Sequence, residues 1–188
     1  MKKTVVFLII CALAAGFSSC KKDEPDKPKV PKNEIKIGNE SFPLQVSPTL
    51  SDGISHYGVD DWETASLDFQ STPNFQAGGA AADLTIELVY KINKGFSGTY
   101  ICEDGLFAEL PELESQGTYH VFTNGFTWCH YDVPMNPEQS KTYYIKSGTV
   151  TITDLGNNTY SVVCDLIAED NTAIGCTYTG KFMQFPEW

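Results

Sequence analysis

The sequence predicts an all-β domain: an antiparallel β-barrel or sandwich of about nine to ten short strands with little helix. Apolar and polar residues alternate from Asp83 to Ile92, as in a strand with one buried face and one wet face. The last third of the chain contains three such runs, separated by Asn, Asp and Gly residues that favour hairpin turns. No stretch of helical length carries a helical apolar stripe.

The chain opens with the layout of a signal peptide. Lys2 and Lys3 precede an apolar run from Val5 to Ala15, and small residues then lead to Cys20. The run is shorter than the roughly 20 apolar residues that a membrane-spanning helix needs. We therefore expect residues 1–19 to be a lipoprotein signal peptide that is removed.

The segment Phe17-Ser18-Ser19-Cys20 resembles the lipobox of bacterial lipoproteins, with Phe where Leu is usual. The resemblance implies that Cys20 becomes the new N-terminus and carries the lipid that holds the protein on a membrane. The alternative is an ordinary secretory signal whose Cys20 later forms a disulfide. Lys21–Glu24 is similar to the surface-export signal of Bacteroidetes lipoproteins, which implies the outer membrane and the cell surface.

A tether follows the lipidated cysteine. Lys21–Lys32 holds three prolines and five lysines in twelve residues, a composition that buries too little apolar surface to offset the entropy of ordering. Residues 20–34 are therefore predicted to be a disordered tether. Residues 35–188 are long enough to bury a sizeable core and are predicted to be a single domain.

Several further runs complete the predicted strand set, and one short helix is possible. The helix candidate is Leu106–Glu114, which Pro111 interrupts. The meander strands are Thr149–Asp154, Tyr160–Ile167 and Ala173–Gly180. The other strand-like runs are Phe42–Val46, Ala65–Phe69, Thr99–Cys102, Thr118–Phe122, Phe126–Asp132 and Thr142–Ile145.

Glycine-punctuated strands near the end of the chain resemble a module that closes many Bacteroidetes lipoproteins with lipocalin-like, or calycin-like, β-domains. The similar segments are Ser147–Thr153, Asn158–Leu166 and Ile174–Phe182. Ile37–Leu44 and Ser97–Tyr100 are similar to the opening and middle strands of that module. The resemblance implies a lipocalin-like meander. It implies no activity, because that family is largely uncharacterised.

Charge and motif content exclude several classes of function. The chain has a formal net charge of −11 and contains no arginine, so nucleic acid is not an expected partner. No phosphate loop, nucleophile elbow or His-Glu-x-x-His motif occurs. The cysteines lack zinc-site spacing. We expect no metal and no cofactor.

Four cysteines of the domain could form two disulfides, with three possible connectivities. Cys164 and Cys176 are predicted to lie opposite each other on the last hairpin, both facing inward, as either a disulfide or two buried thiols. Cys102 and Cys129 could form the second bond. Cys129 is adjacent to His130, but neighbouring residues of a strand point to opposite faces, which disfavours a catalytic pair.

The segment Asp60-Asp61-Trp62-Glu63 is the candidate ligand site. An aromatic ring beside carboxylates can stack on a sugar, and carboxylates can also bind Ca²⁺ or hydrolyse glycosides. The alternative is an acidic turn whose tryptophan anchors the core.

Three functions are consistent with these observations. The first is a non-enzymatic, surface-tethered domain that binds a glycan, a small apolar molecule or a protein partner. The second is a structural or protein-interaction domain of an outer-membrane assembly with a filled core. The third is a hydrolase that uses Asp60, Asp61 or Glu63. The size and lining of any cleft would discriminate among them.

Overall fold

The computed structural model describes residues 32–52, 61–71, 79–103 and 109–184. These described residues belong to one compact unit. The predicted signal peptide, Cys20, most of the predicted tether, and Asp60 lie outside the described residues. Within the described ranges, none of the helices has the length and apolar character needed to cross a membrane.

The described residues are mostly strand. The strands are β1 (Glu34–Ile37), β2 (Glu40–Pro43), β3 (Thr49–Asp52), β4 (Trp62–Gln70), β5 (Ala81–Lys91), β6 (Gly98–Glu103), β7 (His120–Thr123), β8 (Trp128–Asp132), β9 (Lys141–Gly156), β10 (Thr159–Ala168), β11 (Ala173–Gly180) and β12 (Met183–Gln184). One α-helix, α1 (Leu110–Ser115), lies between β6 and β7. The all-β class is confirmed, but the strand number exceeds the predicted nine to ten, because β1, β3 and β12 are only two to four residues long, too short for an alternating pattern to identify a strand.

All the strands belong to one sheet that curls into a barrel core with extra strands. The order is β12-β3-β4-β5-β7-β6-β9-β10-β11-β1-β2, and β8 pairs with both β5 and β9. The two ends of this order are brought together because the chain runs from β11 directly into β12, and β12 pairs with β3. An isolated bridge between Leu44 and Ser71 also joins the end of β2 to the end of β4. The predicted meander is confirmed as β9, β10 and β11.

The sequence predicted an antiparallel sheet, but two of the neighbouring strand pairs are parallel. The β6–β7 and β12–β3 pairs are parallel. A parallel pair needs a crossover connection, and the segment that contains α1 joins β6 to β7.

Pro111 lies in the first turn of α1, where its missing N–H costs nothing. The prediction that Pro111 interrupts this helix was therefore wrong, because α1 begins at Leu110 and continues through Pro111 to Ser115.

The interior of the barrel is filled by the inward side chains of the alternating strands. Leu84, Ile86 and Leu88 of β5 are each fully buried, as the alternation predicted. The core also includes Ile35, Leu67, Phe69, Tyr100, Phe122, Ile145, Val150, Ile152, Val162, Leu166 and Ile174. A second, smaller cluster lies on the outer surface beneath α1 and contains Trp62, Val89, Leu110 and Val121.

The strand β9 is longer than the sequence indicated. Thr142–Ile145 and Thr149–Asp154 were predicted as separate strands, but they are one strand with an irregularity opposite Ile167 and Ala168. Gly148 at this irregularity has φ +135°, and a Cβ there would lie 2.3 Å from the Asp165 carbonyl oxygen. Only glycine allows the two backbones to approach so closely.

The end of the predicted tether is attached to the barrel. The Asn33 side chain accepts a hydrogen bond from the Thr179 N–H and donates one to the Thr179 carbonyl, at 2.9 and 3.2 Å. Thr177 Oγ1 donates to the Lys32 carbonyl at 2.5 Å. Lys32 and Asn33, which the sequence assigned to the tether, are therefore bonded to β11 of the barrel.

Candidate functional site

Aromatic side chains gather at one end of the barrel. The Phe182 ring stacks on the Tyr160 ring, with centroids 5.1 Å apart and planes at 18°, and on the Tyr178 ring at 5.8 Å and 23°. Phe96 contacts Phe182 and Tyr160 edge to face at 6.3 and 5.8 Å. Tyr90 contacts Phe96 in the same manner at 5.7 Å. These residues come from four strands or the turns beside them, so only barrel closure brings them together.

Hydrogen bonds hold this aromatic end in place. The Tyr100 hydroxyl donates to the Phe96 carbonyl at 2.5 Å, and the Tyr178 hydroxyl donates to the Lys181 carbonyl at 2.6 Å. Burial raises the pKa of Tyr100 well above its usual value, so this side chain keeps its proton. The Cβ of any residue replacing Gly98 would lie 2.6 Å from the His120 ring, so the His120 side chain would have to move.

A cleft of about 190 Å³ opens at this end of the barrel. It is lined by Leu50, Asn158, Tyr160, Lys181 and Phe182. The lining combines apolar faces with an amide and an ammonium group. Pockets for drug-sized ligands are typically about 300–1,000 Å³, so the cleft is of a size for one ring-shaped group. We take this aromatic-end cleft as the candidate site.

A second recess lies beneath α1 and is too small for a ligand. It has a volume of about 10 Å³ and is lined by residues that include Leu110, Val121 and Thr123. That is about the space of a single water molecule. Thr123 Oγ1 is buried and has no hydrogen-bond partner among the described residues.

The predicted site residues of β4 do not form a single site. Trp62 is only 4% exposed and packs in the cluster beneath α1, so its ring is not available to a ligand. Asp61 is exposed, adopts φ 72°, and accepts a hydrogen bond from the Ile92 N–H through its carbonyl oxygen. Glu63 lies on the opposite face of β4 from Trp62 and accepts a hydrogen bond from the Tyr90 hydroxyl at 2.8 Å.

One pair of cysteines lies as the sequence predicted from the turn at Asp170. Cys164 and Cys176 are register partners across β10 and β11, and both are buried. Cys129 is also buried, and burial raises the pKa of its thiol to about 12. Cys102 is half-buried on β6 and pairs with Phe122. Cys129, Cys164 and Cys176 carry free thiols in the structure.

Sequence reasoning missed a polar and aromatic surface on the outside of β5, β8 and β9. Asp83, His130 and Thr142 lie in register across these strands, and His130 Nδ1 lies 3.1 Å from Thr142 Oγ1. Burial raises the pKa of Asp83, while nearby His130 opposes this shift. Trp128 and Tyr144 are register partners on the same surface. Strand alternation could have shown that these residues share a face, but not which strands are neighbours.

Among the described residues, no three His, Cys, Asp or Glu side chains group in a way that could hold a metal ion.

Comparison with known proteins leaves the chain without an identified relative. No family model matches it, and neither a curated protein nor a solved structure matches it significantly. The resemblance to lipocalin-like lipoproteins therefore remains a prediction from the sequence.

Proposed function

We propose that this chain is an exported, lipid-anchored lipoprotein of the bacterial outer membrane whose barrel binds one sugar ring of a glycan without catalysis. The observation that carries the binding function is the aromatic-end cleft, about 190 Å³ in volume and lined by Tyr160, Phe182, Asn158 and Lys181. The proposal of a lipid anchor rests on the sequence around Cys20. The barrel core is also consistent with a lipocalin-like fold.

The chemistry of the cleft suits a sugar better than a large apolar ligand. A sugar ring presents C–H groups on its faces and hydroxyls on its edge, which match aromatic rings beside hydrogen-bonding groups. Lipocalin-type barrels hold a ligand in their interior. Here, side chains such as Leu67, Ile86 and Ile174 fill the space between the strands. The cleft at the barrel end, not the interior, therefore offers the binding surface.

The sugar proposal can be tested with the full chain purified in detergent. Saturation-transfer NMR against a panel of monosaccharides and disaccharides should detect binding, and Tyr160→Ala should weaken it at least tenfold. Tyr144→Ala is the matched control, because Tyr144 is 56% exposed on the outer face and should bind like the parent chain. No saturable binding to any saccharide, or loss of binding only in the control, would contradict the proposal.

The anchor requires a separate test. A bacterial host grown with an alkyne fatty acid should label the expressed chain, and Cys20→Ser should abolish the label. Labelling that survives this substitution would refute lipidation of Cys20.

A protein-interaction domain is the second candidate. The filled interior favours it, and so do the exposed side chains of Tyr144 and Phe126, which are 56% and 54% accessible. The two candidates predict opposite results for the variants above. Capture of a partner protein that Tyr144→Ala abolishes and Tyr160→Ala preserves would favour interaction through the outer face.

A further inference from the structure

The last hairpin brings two thiols face to face inside the barrel. Cys164 and Cys176 are register partners within an uninterrupted ladder that runs from the Tyr160–Gly180 pair to the Ile167–Ala173 pair. They are 4% and 1% exposed. Directly opposed residues of antiparallel strands have Cα atoms about 4.5–5.5 Å apart, which lies within the range for a disulfide.

The strand register does not place the other two cysteines of the domain opposite each other. Cys129 pairs with Leu84 on β5 and with Tyr143 on β9. The residue before Cys102 pairs with Thr149 of β9, several residues further along the strand. At about 3.3 Å per residue, Cys102 and Cys129 are separated by well over the roughly 7 Å that a disulfide can bridge between Cα atoms.

We propose that Cys164 and Cys176 form a cross-strand disulfide, made by thiol–disulfide exchange with an oxidising disulfide while the chain folds, and that Cys102 and Cys129 do not bond to each other. The Cys164 thiolate attacks the oxidant's disulfide, releasing one thiolate and forming a mixed disulfide. The Cys176 thiolate then attacks Cys164 Sγ and displaces the second thiolate. Two protein thiols are oxidised, one disulfide is reduced to two thiols, and both protons pass to those products.

The burial of the pair determines when this exchange occurs. The thiolate is the reacting form of cysteine, and burial raises the pKa of Cys176 well above its usual value. Neither sulfur is accessible to an oxidant once the barrel has closed. The bond therefore forms in the open hairpin, and the closed barrel then protects it from reduction.

Refolding of the full chain tests the proposal. Denatured, reduced protein is refolded in detergent with reduced and oxidised glutathione, alkylated, digested and mapped by mass spectrometry. We expect a Cys164–Cys176 peptide lighter by two hydrogen atoms in the parent chain, in Cys102→Ser and in Cys129→Ser. Cys164→Ser and Cys176→Ser should lack it. Folded, reduced protein given the same buffer should form the bond at least tenfold more slowly.

Two results would overturn the inference. One is full alkylation of both cysteines after refolding, and the other is a link from either of them to a different cysteine. If the serine variants fail to fold, the peptide map of the parent chain decides between these results and the proposed bond.

Discussion

The Tyr90 hydroxyl donates a hydrogen bond to the Glu63 carboxylate at 2.8 Å, and the two residues are register partners across β4 and β5. This bond connects an acidic residue that the sequence singled out for chemistry to the tyrosine beside Phe96 at the aromatic end. Glu63 therefore supports Tyr90, which packs against Phe96 at the aromatic end but does not line the cleft.

Removing this hydroxyl tests the supporting role. Tyr90→Phe should lower the free energy of unfolding by about 1 kcal/mol, because it removes one hydrogen bond and keeps the ring. Urea denaturation measures the change. Tyr144→Phe, on the exposed outer face, should leave stability unchanged. Equal losses in the two variants would show that the bond to Glu63 contributes nothing specific.

Trp62 should behave as a core residue. Trp62→Ala should cost about 3–5 kcal/mol of stability, because it empties the cluster between β4 and α1. Asp61→Gly is the control from the same turn, and it should be tolerated because Asp61 adopts φ 72°. Both are compared by the midpoint of urea unfolding. A stable Trp62→Ala chain with weakened sugar binding would restore Trp62 to the binding site.

The proposed disulfide should contribute measurably to stability. Reduction of the Cys164–Cys176 bond should lower the free energy of unfolding by about 3 kcal/mol, which is roughly a hundredfold in the equilibrium constant for unfolding. The bond stabilises the fold because it closes a short loop and so restricts the unfolded chain. Unfolding is measured with and without dithiothreitol. The reductant should have no effect on Cys164→Ser, and an equal effect on both chains would point to another bond.

Gly148 should be intolerant of substitution. In Gly148→Ala the new Cβ meets the Asp165 carbonyl oxygen at 2.3 Å, and φ is +135°, so we expect a loss of at least about 1–3 kcal/mol. Gly156→Ala is the matched control, since Gly156 also has positive φ but no atom within 4 Å of the added Cβ. Chemical denaturation of both variants separates steric clash from backbone strain. Equal losses would show that the close approach to β10 is unimportant.

Two carboxylates should affect stability with opposite dependence on pH. Burial raises the folded pKa of Asp83 above 3.8, so its ionised form costs stability at neutral pH and protonation relieves that cost. Lys141 and the turn at Thr172 lower the pKa of Asp170 to about 2, so its contribution is present above pH 3.8 and is lost as pH falls through 2.

Asparagine variants distinguish these effects. Asp83→Asn should stabilise the protein at neutral pH, and this gain should disappear as the pH falls below 3.8. Asp170→Asn should lower the stability of the protein at neutral pH, because it removes the ion pair with Lys141. The loss should be small, because this pair is exposed to solvent. Urea unfolding at a series of pH values gives both results. A constant difference for Asp83→Asn across the series would mean that its ionisation does not affect stability.

Patterns local in sequence predicted the fold well. The alternation around Leu84, Ile86 and Leu88 identified the inward face of β5, and the turn at Asp170 set Cys164 opposite Cys176. The same reasoning placed Cys129 and His130 on opposite faces of β8. It did not locate the candidate site, because burial of Trp62 depends on α1, which lies far along the chain.

The sequence by itself determined the β class, the final meander and the positions of inward side chains, since strand alternation and hairpin register act between residues close in the chain. Only the tertiary structure decided that the barrel is filled, that β6 and β7 run parallel, and that Leu50, Tyr160 and Phe182 surround one cleft. Those three residues are on or beside β3, β10 and β12. No local pattern couples them, and they meet because β12 pairs with β3 when the sheet closes.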